Sequence, residues 1–384
     1  MKNKLFSLVL LLLFILGIGI LVLPQYEVSL QERRWLNQSS DIRVIDLVQS
    51  TDDVLNDQFY SRSKILELYY LSNATLSSTF GSNKIDNITI TPISDEIDLL
   101  NDGYISNKPL AYNDADLKAA SLRGYNINEF DLKYPNIKTY IYKCTRVEEL
   151  LNIEYPFQEK CWDALTIQLN PNISYSELSV ESIQDYQKYF YKTDVHWNAY
   201  GAYQGYVDII NMINNDFNIG EPKKAKEFIT FPYKFKGNVS SKIAFLGDYD
   251  YLTDCVLDNV GDFDYYVDGE LFDFYEDKNE YIENGNSQPY SDYEIYFGTN
   301  TFMKLFDFHD DDKPNLLIFS TSYTNANNMW IASHFNKTLL IDLRNIDEDF
   351  SLEYYIDKYD ISIALMETSY RTLFLNGYLF IPVD

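Results

Sequence analysis

The chain has 384 residues, of which 46% are hydrophobic and 23% charged, a composition typical of a folded protein rather than a disordered one. Its 31 Lys and Arg against 58 Asp and Glu give a formal net charge of −27, which argues against nonspecific nucleic-acid binding because such a surface repels phosphates. Three Cys are too few for a disulfide-rich module, and His196, His309 and His334 lack the spacing of a metal site.

The N-terminus predicts a membrane anchor. Lys2 and Lys4 precede an apolar run from Leu5 to Leu23, which as a helix is long enough to cross a hydrocarbon core of about 30 Å. Positive charge before the run predicts a cytoplasmic N-terminus and an exported remainder. A cleaved signal peptide is the alternative, but the run exceeds the usual h-region of about 7–15 residues. We therefore divide the chain into a cytoplasmic tip and transmembrane anchor at 1–24, a membrane-proximal stalk at 25–65, and an extracellular domain at 66–384.

In the exported part, predicted strands and helices alternate as in an α/β fold. Apolar runs and helical periodicity predict, in chain order, a strand at 137–142, a helix at 147–151, a strand at 316–319, a helix at 325–335, a strand at 339–343, a helix at 352–359 and a strand at 361–366. This alternation implies parallel strands with helices on the faces of the sheet. Functional residues of such sheets lie at the carboxyl ends of strands. The residues that follow Phe319 and Met366 are therefore the first candidates.

Asp194 and His196 form one candidate pair. In an extended stretch, residues i and i+2 project from the same face, so both side chains can serve one site. A carboxylate beside an imidazole fixes its tautomer and stabilises the imidazolium formed when the ring accepts a proton. Asn198 is the expected cap of the helix that follows. The alternative is a surface Asp and a His satisfied by ordinary hydrogen bonds.

Ser322 is a candidate nucleophile because it lies between the predicted strand 316–319 and the helix that follows. A serine on such a turn exposes its hydroxyl, and N–H groups at the helix start can stabilise an oxyanion. The alternative is a run of helix-capping residues. Ser369 follows the strand 361–366 in a similar position, but only Ser322 is followed by a clear helical pattern.

The order of the motifs along the chain resembles that of the DHHW family of Gram-positive bacteria. This family is related to the AlgJ/AlgX-like alginate O-acetyltransferases and has an SGNH-hydrolase-like domain. The name motif is present as Asp194-Val195-His196-Trp197, the serine motif as Ser320-Thr321-Ser322-Tyr323, and a later strand ends in Asp342-Leu343-Arg344. Val195 stands where the family has its first His, and Ser320 stands where the serine motif usually has Gly.

The resemblance implies a three-layer α/β/α domain with a parallel sheet and an acyl-transfer site. Ser322 would attack an acetyl donor, His196 would accept its proton, and Asp194 would orient His196. The reaction would need no cofactor and no metal. The acceptor would be a cell-envelope or secreted polysaccharide, and a membrane-bound acyltransferase would deliver the acetyl group. The resemblance also suggests that Arg344, Tyr323 and Trp197 contact substrate. The alternatives are a salt bridge at the end of a strand for Arg344 and core packing beside the motif for Trp197.

Two alternative functions stay open from the sequence. A carbohydrate acetyl esterase would use the same site and pass its acyl group to water. A non-catalytic scaffold for polysaccharide assembly would carry a degenerate site, and Ser320 in place of Gly is the feature that favours it. The pairing of Cys144 with Cys161 is also open, since buried free thiols are an equally good interpretation.

Overall fold

The structure is a computed structural model of the chain. It describes residues 28–29, 34–59, 62–85, 88–100, 102–109, 113–150, 157–243, 248–286, 291–298, 301–346, 350–370 and 373. The predicted anchor lies outside these residues, and its role stays a prediction. In the segments described, no helix is long and apolar enough to cross a membrane.

The helices are mostly short, and polar side chains cap several of them. Among the described residues the α-helices are α1 (Leu47–Gln58), α2 (Arg62–Phe80), α3 (Asp114–Lys133), α4 (Val147–Leu150), α5 (Phe157–Thr166), α6 (Ile183–Tyr189), α7 (Ala199–Asn214), α8 (Asn238–Ser241), α9 (Glu276–Asn284), α10 (Asp292–Phe297), α11 (Asn328–Ala332) and α12 (Leu352–Lys358). The 3-10 turns are Ser39–Asp41, Val44–Asp46 and Thr324–Ala326. Helix α2 runs across residue 65, where the sequence placed the end of the stalk.

The strands form one large sheet and three small ones. They are β1 (Val28–Ser29), β2 (Arg34–Trp35), β3 (Asn83–Ile85), β4 (Ile88–Pro92), β5 (Ile97–Leu100), β6 (Ile105–Asn107), β7 (Lys138–Cys144), β8 (Ser174–Glu177), β9 (Ala225–Phe235), β10 (Asp250–Leu257), β11 (Asp264–Val267), β12 (Glu270–Phe272), β13 (Met303–Asp307), β14 (Asn315–Phe319), β15 (Lys337–Ile341) and β16 (Ile361–Ser369). The small sheets pair β1 with β2, β9 with β10, and β3 to β6 in sequence, each antiparallel.

The large sheet has the strand order β12-β11-β13-β15-β14-β16-β7-β8. Neighbouring strands from β15 to β8 run parallel, and β13, β11 and β12 extend one edge in antiparallel pairing. The chain leaves β14 for β15 on one side and then crosses to β16 on the other. Such a reversal of direction opens a crevice at the carboxyl ends of the strands, beside the end of β14.

Helices cover both faces of this sheet. Along β14, Leu316 and Ile318 pack into the core on the side of α7 and α11, whereas Leu317 and Phe319 pack on the side of α3, α5 and α12. This alternation follows from the two-residue period of a strand, and it gives a three-layer α/β/α arrangement. The predicted α/β class with a mostly parallel sheet is confirmed.

The cysteines are buried free thiols. Cys144 packs in the core on the α7 side of the sheet, and Cys161 packs in the core on the opposite side. Because the sheet separates them, Cys144 and Cys161 do not pair in this structure.

Three details of the predicted elements need correction. The helix expected at 325–335 is a 3-10 turn followed by the short α11. The strand expected to end at Met366 continues to Ser369 as β16, because Glu367 to Ser369 pair with the end of β7. Ser369 therefore lies inside a strand with 0% of its surface exposed, rather than on an open turn.

Candidate active site

Asp194, His196 and Ser322 form one continuous hydrogen-bonded chain at the carboxyl end of β14. The Nε2 atom of His196 lies 2.7 Å from the Ser322 hydroxyl, and its Nδ1 atom lies 2.6 Å from Oδ1 of Asp194. Asp194 and His196 are 2% and 3% exposed, whereas Ser322 is half-buried. The base is therefore shielded from water, while part of the serine faces the solvent.

A carboxylate outside the chain of three holds the segment that carries Asp194 and His196. Asp250, at the start of β10, accepts hydrogen bonds from the backbone N–H groups of Lys192 and Thr193 and from the Thr193 hydroxyl. At the far end of the segment, the Asn198 side chain accepts from the N–H groups of the second and third residues of α7. The predicted cap is thus confirmed, and the segment is fixed at both ends.

Backbone groups around Asp194 favour its ionised form. Its Oδ1 atom accepts from the His196 N–H, and its Oδ2 atom accepts from the N–H of Asn238 at 2.8 Å. Burial alone would raise the pKa of Asp194, but the facing His196 ring and these hydrogen bonds outweigh it and lower the pKa. An ionised Asp194 places the ring proton on Nδ1, which leaves the Nε2 lone pair directed at Ser322.

Gly237 leaves room for this carboxylate. Its backbone has ordinary angles, with φ of −75°, but a Cβ atom there would lie 2.3 Å from Cβ of Asp194. A side chain at position 237 would therefore displace Asp194. The sequence analysis did not single out Gly237 or Asn238, since they follow the motif by more than 40 residues.

The turn that carries Ser322 is held by its own hydroxyl groups. The Thr321 N–H donates to the Thr324 hydroxyl at 3.2 Å, and the Tyr323 N–H donates to the Thr321 hydroxyl at 3.3 Å. The Ser322 N–H makes no hydrogen bond to the described residues, so it can serve as a donor to a developing oxyanion.

Ser320 does not distort this turn. The non-glycine residues with positive φ in the described chain are Asn259, Asp268, His309 and Asp360. Because Ser320 is not among them, its backbone does not need the conformational freedom of glycine. The departure from the family's serine motif therefore leaves the geometry of the turn intact.

Tyr293 joins the base to the nucleophile, although no motif of the sequence pointed to it. Its ring stacks on His196 with the ring centroids 3.9 Å apart and the planes at 4°. Its hydroxyl donates to the Ser322 carbonyl oxygen at 2.9 Å. No pattern distinguishes this residue in a chain with 34 Tyr, and only the packing of α10 on the site reveals it.

Trp197 and Tyr323 are core residues in this structure rather than open substrate contacts. Trp197 is 0% exposed, and its Nε1 atom donates to the Tyr323 carbonyl oxygen. Its ring lies so close to Gly205 that a Cβ atom there would be only 2.7 Å from the nearest ring carbon. Tyr323 is 1% exposed, and its hydroxyl donates to the Val195 carbonyl oxygen at 2.7 Å. Both side chains brace the histidine segment against the serine turn.

Arg344 lies after β15, next to the strand that leads into the serine turn. Its guanidinium pairs with the carboxylate of Asp342, and 23% of its side chain is exposed. Contact of Arg344 with a substrate stays a prediction. Across the described segments, no group of three or more His, Cys, Asp or Glu side chains is arranged to hold a metal ion.

No protein-family model and no curated protein matches the sequence. Solved structures do match. A DHHW family protein from Eubacterium siraeum aligns over 78% of this chain and 96% of its own, with 16% identity and a TM-score of 0.57. The chain has the fold of a DHHW family protein. This finding confirms at the level of fold the resemblance first seen in the motifs.

Two further structures extend the comparison. PatB1 of Bacillus cereus, solved with a sulfonyl adduct, aligns over 73% of this chain and 98% of its own, with 17% identity and a TM-score of 0.59. The O-acetyltransferase domain of Pseudomonas putida AlgJ aligns over 75% and 96%, with 12% identity. Its TM-score of 0.41 is too low to carry an argument.

Proposed function

We propose that this protein is a membrane-anchored extracellular O-acetyltransferase that moves an acetyl group to a cell-envelope polysaccharide through an acyl-serine. The observation that carries the proposal is the unbroken chain of hydrogen bonds from Asp194 through His196 to Ser322. A half-buried serine whose hydroxyl lies within hydrogen-bond distance of an imidazole ring is the arrangement that nucleophilic acyl transfer requires.

The first half-reaction acylates the serine. His196 accepts the Ser322 proton on Nε2 while the oxygen attacks the donor carbonyl, and Asp194 stabilises the imidazolium that forms. The Ser322 N–H faces the developing oxyanion. When the tetrahedral intermediate collapses, the bond to the donor's leaving group breaks, and His196 returns the proton to that group. The products are the acetyl-serine and the released donor.

The second half-reaction regenerates the serine. A sugar hydroxyl gives its proton to His196 and attacks the acetyl-serine, and the acetyl ester of the sugar leaves as Ser322 regains a proton. Water in place of the sugar would give an esterase, since both acceptors meet the same acyl-serine. The shape of the acceptor site, rather than the three catalytic side chains, decides between the two outcomes.

The similarity to solved structures supports the acyl-transfer part of this proposal. Sulfonyl groups attach to activated nucleophilic side chains, and PatB1 of Bacillus cereus has been captured with such an adduct. The predicted anchor would hold the domain outside the membrane, where a membrane-bound acyltransferase could supply the acetyl group. The scaffold alternative loses its main argument, because Ser320 leaves the serine turn unstrained.

An acceptor assay tests the proposal. The full chain is incubated with 4-nitrophenyl acetate, alone and with a panel of cell-wall oligosaccharides, and acetylated sugar is measured by mass spectrometry. We expect a sugar acetyl ester that disappears in Ser322→Ala and His196→Ala but persists in Ser369→Ala. Release of acetate with no acetylated sugar would favour the esterase. No reaction in the wild type would refute acyl transfer to both acceptors.

A further inference from the structure

Glu367 is a buried carboxyl group that the steps above do not use. It lies on β16, one residue beyond the pairing of Met366 with Phe319 at the end of β14, and its exposed fraction is 0%. This position brings Glu367 to the inner side of the serine turn. A carboxyl group is costly to bury, so its contacts indicate what it does there.

The contacts of Glu367 lie on both sides of Ser322. Before the serine, the Thr321 hydroxyl donates to the Glu367 carbonyl oxygen at 3.2 Å. After it, the Asn327 side-chain amide donates to Oε1 of the carboxyl at 3.0 Å, whereas the buried Oε2 atom has no hydrogen-bond partner among the described residues. The backbone of Glu367 thus holds one end of the turn, and its carboxyl group holds the other through Asn327.

Burial favours the uncharged form of the Glu367 carboxyl. Burial raises its pKa to about 8, although the hydrogen bond from Asn327 partly offsets the rise. The titratable groups that face it are Tyr142 and Cys144 of β7 and Tyr293 of α10. Burial raises the pKa of each of these groups, so all three are uncharged at neutral pH and none offers a positive charge to a Glu367 carboxylate.

We propose that Glu367 is a positioning residue whose buried carboxyl group holds the serine turn in its reactive shape through Asn327, and that a negative charge on this carboxyl loosens the turn. The proposal rests on the acyl-transfer function and adds a pH control to it. A buried carboxylate with no cation beside it gains by becoming hydrated, and the turn that covers it is the element that can open to water. Opening moves Ser322 away from His196.

Labelling by phenylmethylsulfonyl fluoride tests the proposal. The rate of mass gain of the full chain is measured from about pH 6 to pH 9 for wild type, Glu367→Gln, Glu367→Leu and the neighbouring control Thr368→Val. Glu367→Leu removes the acceptor of Asn327, and we expect labelling to slow about 10- to 100-fold, the cost of a displaced reacting group. Glu367→Gln keeps a neutral acceptor and should restore most of the rate.

The pH dependence separates positioning from a merely structural role. The labelling rate of wild type relative to Glu367→Gln should fall as the pH rises through about 8, because only the wild type ionises there. If Glu367→Leu does not fold, this ratio decides the matter alone. A constant ratio, or a Glu367→Gln variant as slow as Glu367→Leu, would overturn the proposal.

Backbone hydrogen exchange distinguishes failure of this inference from failure of the proposed function. Residues 321–327 should exchange faster in Glu367→Leu than in wild type or Thr368→Val, whether or not the serine reacts. If the wild type is not labelled, the proposed acyl-transfer function is wrong. The exchange rates still show whether Glu367 holds the serine turn. If residues 321–327 exchange at the same rate in Glu367→Leu as in wild type, the proposed role of Glu367 is wrong, whatever the labelling result.

Discussion

Replacing Gly237 with Ala should disable the site without touching any reacting atom. The added Cβ would lie 2.3 Å from Cβ and 2.5 Å from Oδ2 of Asp194. Carbon atoms in contact prefer separations of about 3.5–4.0 Å, so the two groups must move apart by more than about 1 Å. Because φ at Gly237 is −75°, an alanine backbone fits there, and the effect is one of volume alone.

The distance by which Asp194 must move sets the expected loss of rate and of stability. Misplacing a catalytic group by about 1 Å costs roughly 100-fold in rate, and overpacking a buried site costs about 1–3 kcal/mol of stability. Moving Asp194 also breaks its hydrogen bond from the Asn238 N–H, which helps keep the carboxylate ionised. We therefore expect Gly237→Ala to fold but to react about 100-fold more slowly.

The assay compares rates of labelling by phenylmethylsulfonyl fluoride, together with unfolding by urea. Gly81→Ala is the matched control, since the nearest atom to a Cβ there is the Ser77 carbonyl oxygen at 3.7 Å, an ordinary contact. Gly81→Ala should label like wild type. If Gly237→Ala also labels like wild type, the close packing of Gly237 on Asp194 does not control the reaction, and the reasoning fails.

Three further predictions concern other parts of the structure. Asp194→Asn should keep the fold by circular dichroism but lower the labelling rate by about 10⁴-fold, because the amide holds the wrong tautomer of His196; a loss below tenfold would contradict this. Trp197→Ala should lose about 3–5 kcal/mol in urea unfolding, whereas a residue that only contacts substrate would lose little. Burial lowers the pKa of His334 to about 4 from 6.5. The free energy of unfolding of wild type should therefore fall by about 3 kcal/mol between pH 6.5 and 4, whereas that of His334→Asn should not show this loss. Urea titrations in which both proteins lose the same stability over this pH range would contradict the prediction.

Local patterns placed the candidate catalytic residues, and the resemblance to the DHHW family motifs selected them. The i, i+2 spacing of Asp194 and His196 depends only on backbone geometry, and the strand before Ser322 is a plain apolar run. The alternation of strands and helices also predicted that β14, β15 and β16 run parallel, as they do. These features are local in sequence, so the sequence was sufficient for them.

The supporting residues could not be predicted because they act across long sequence separations. Tyr293 reaches His196 only through the packing of α10, and Asp250 reaches the histidine segment only through β10. For Trp197 the sequence left both a sugar site and core packing open, because an aromatic side chain suits either place. Ser369 was expected on a turn because the polar end of β16 looks like a loop, although it is buried.

The most direct test of the account is to map where a sulfonyl group attaches to the full chain. The protein is reacted with phenylmethylsulfonyl fluoride, digested, and sequenced by tandem mass spectrometry, with Ser322→Ala, His196→Ala and Ser369→Ala treated in parallel. The account predicts one adduct, on Ser322, that is absent from the first two variants and present in the third. An adduct on another residue, or none in the wild type, would contradict the assignment of Ser322 as the nucleophile.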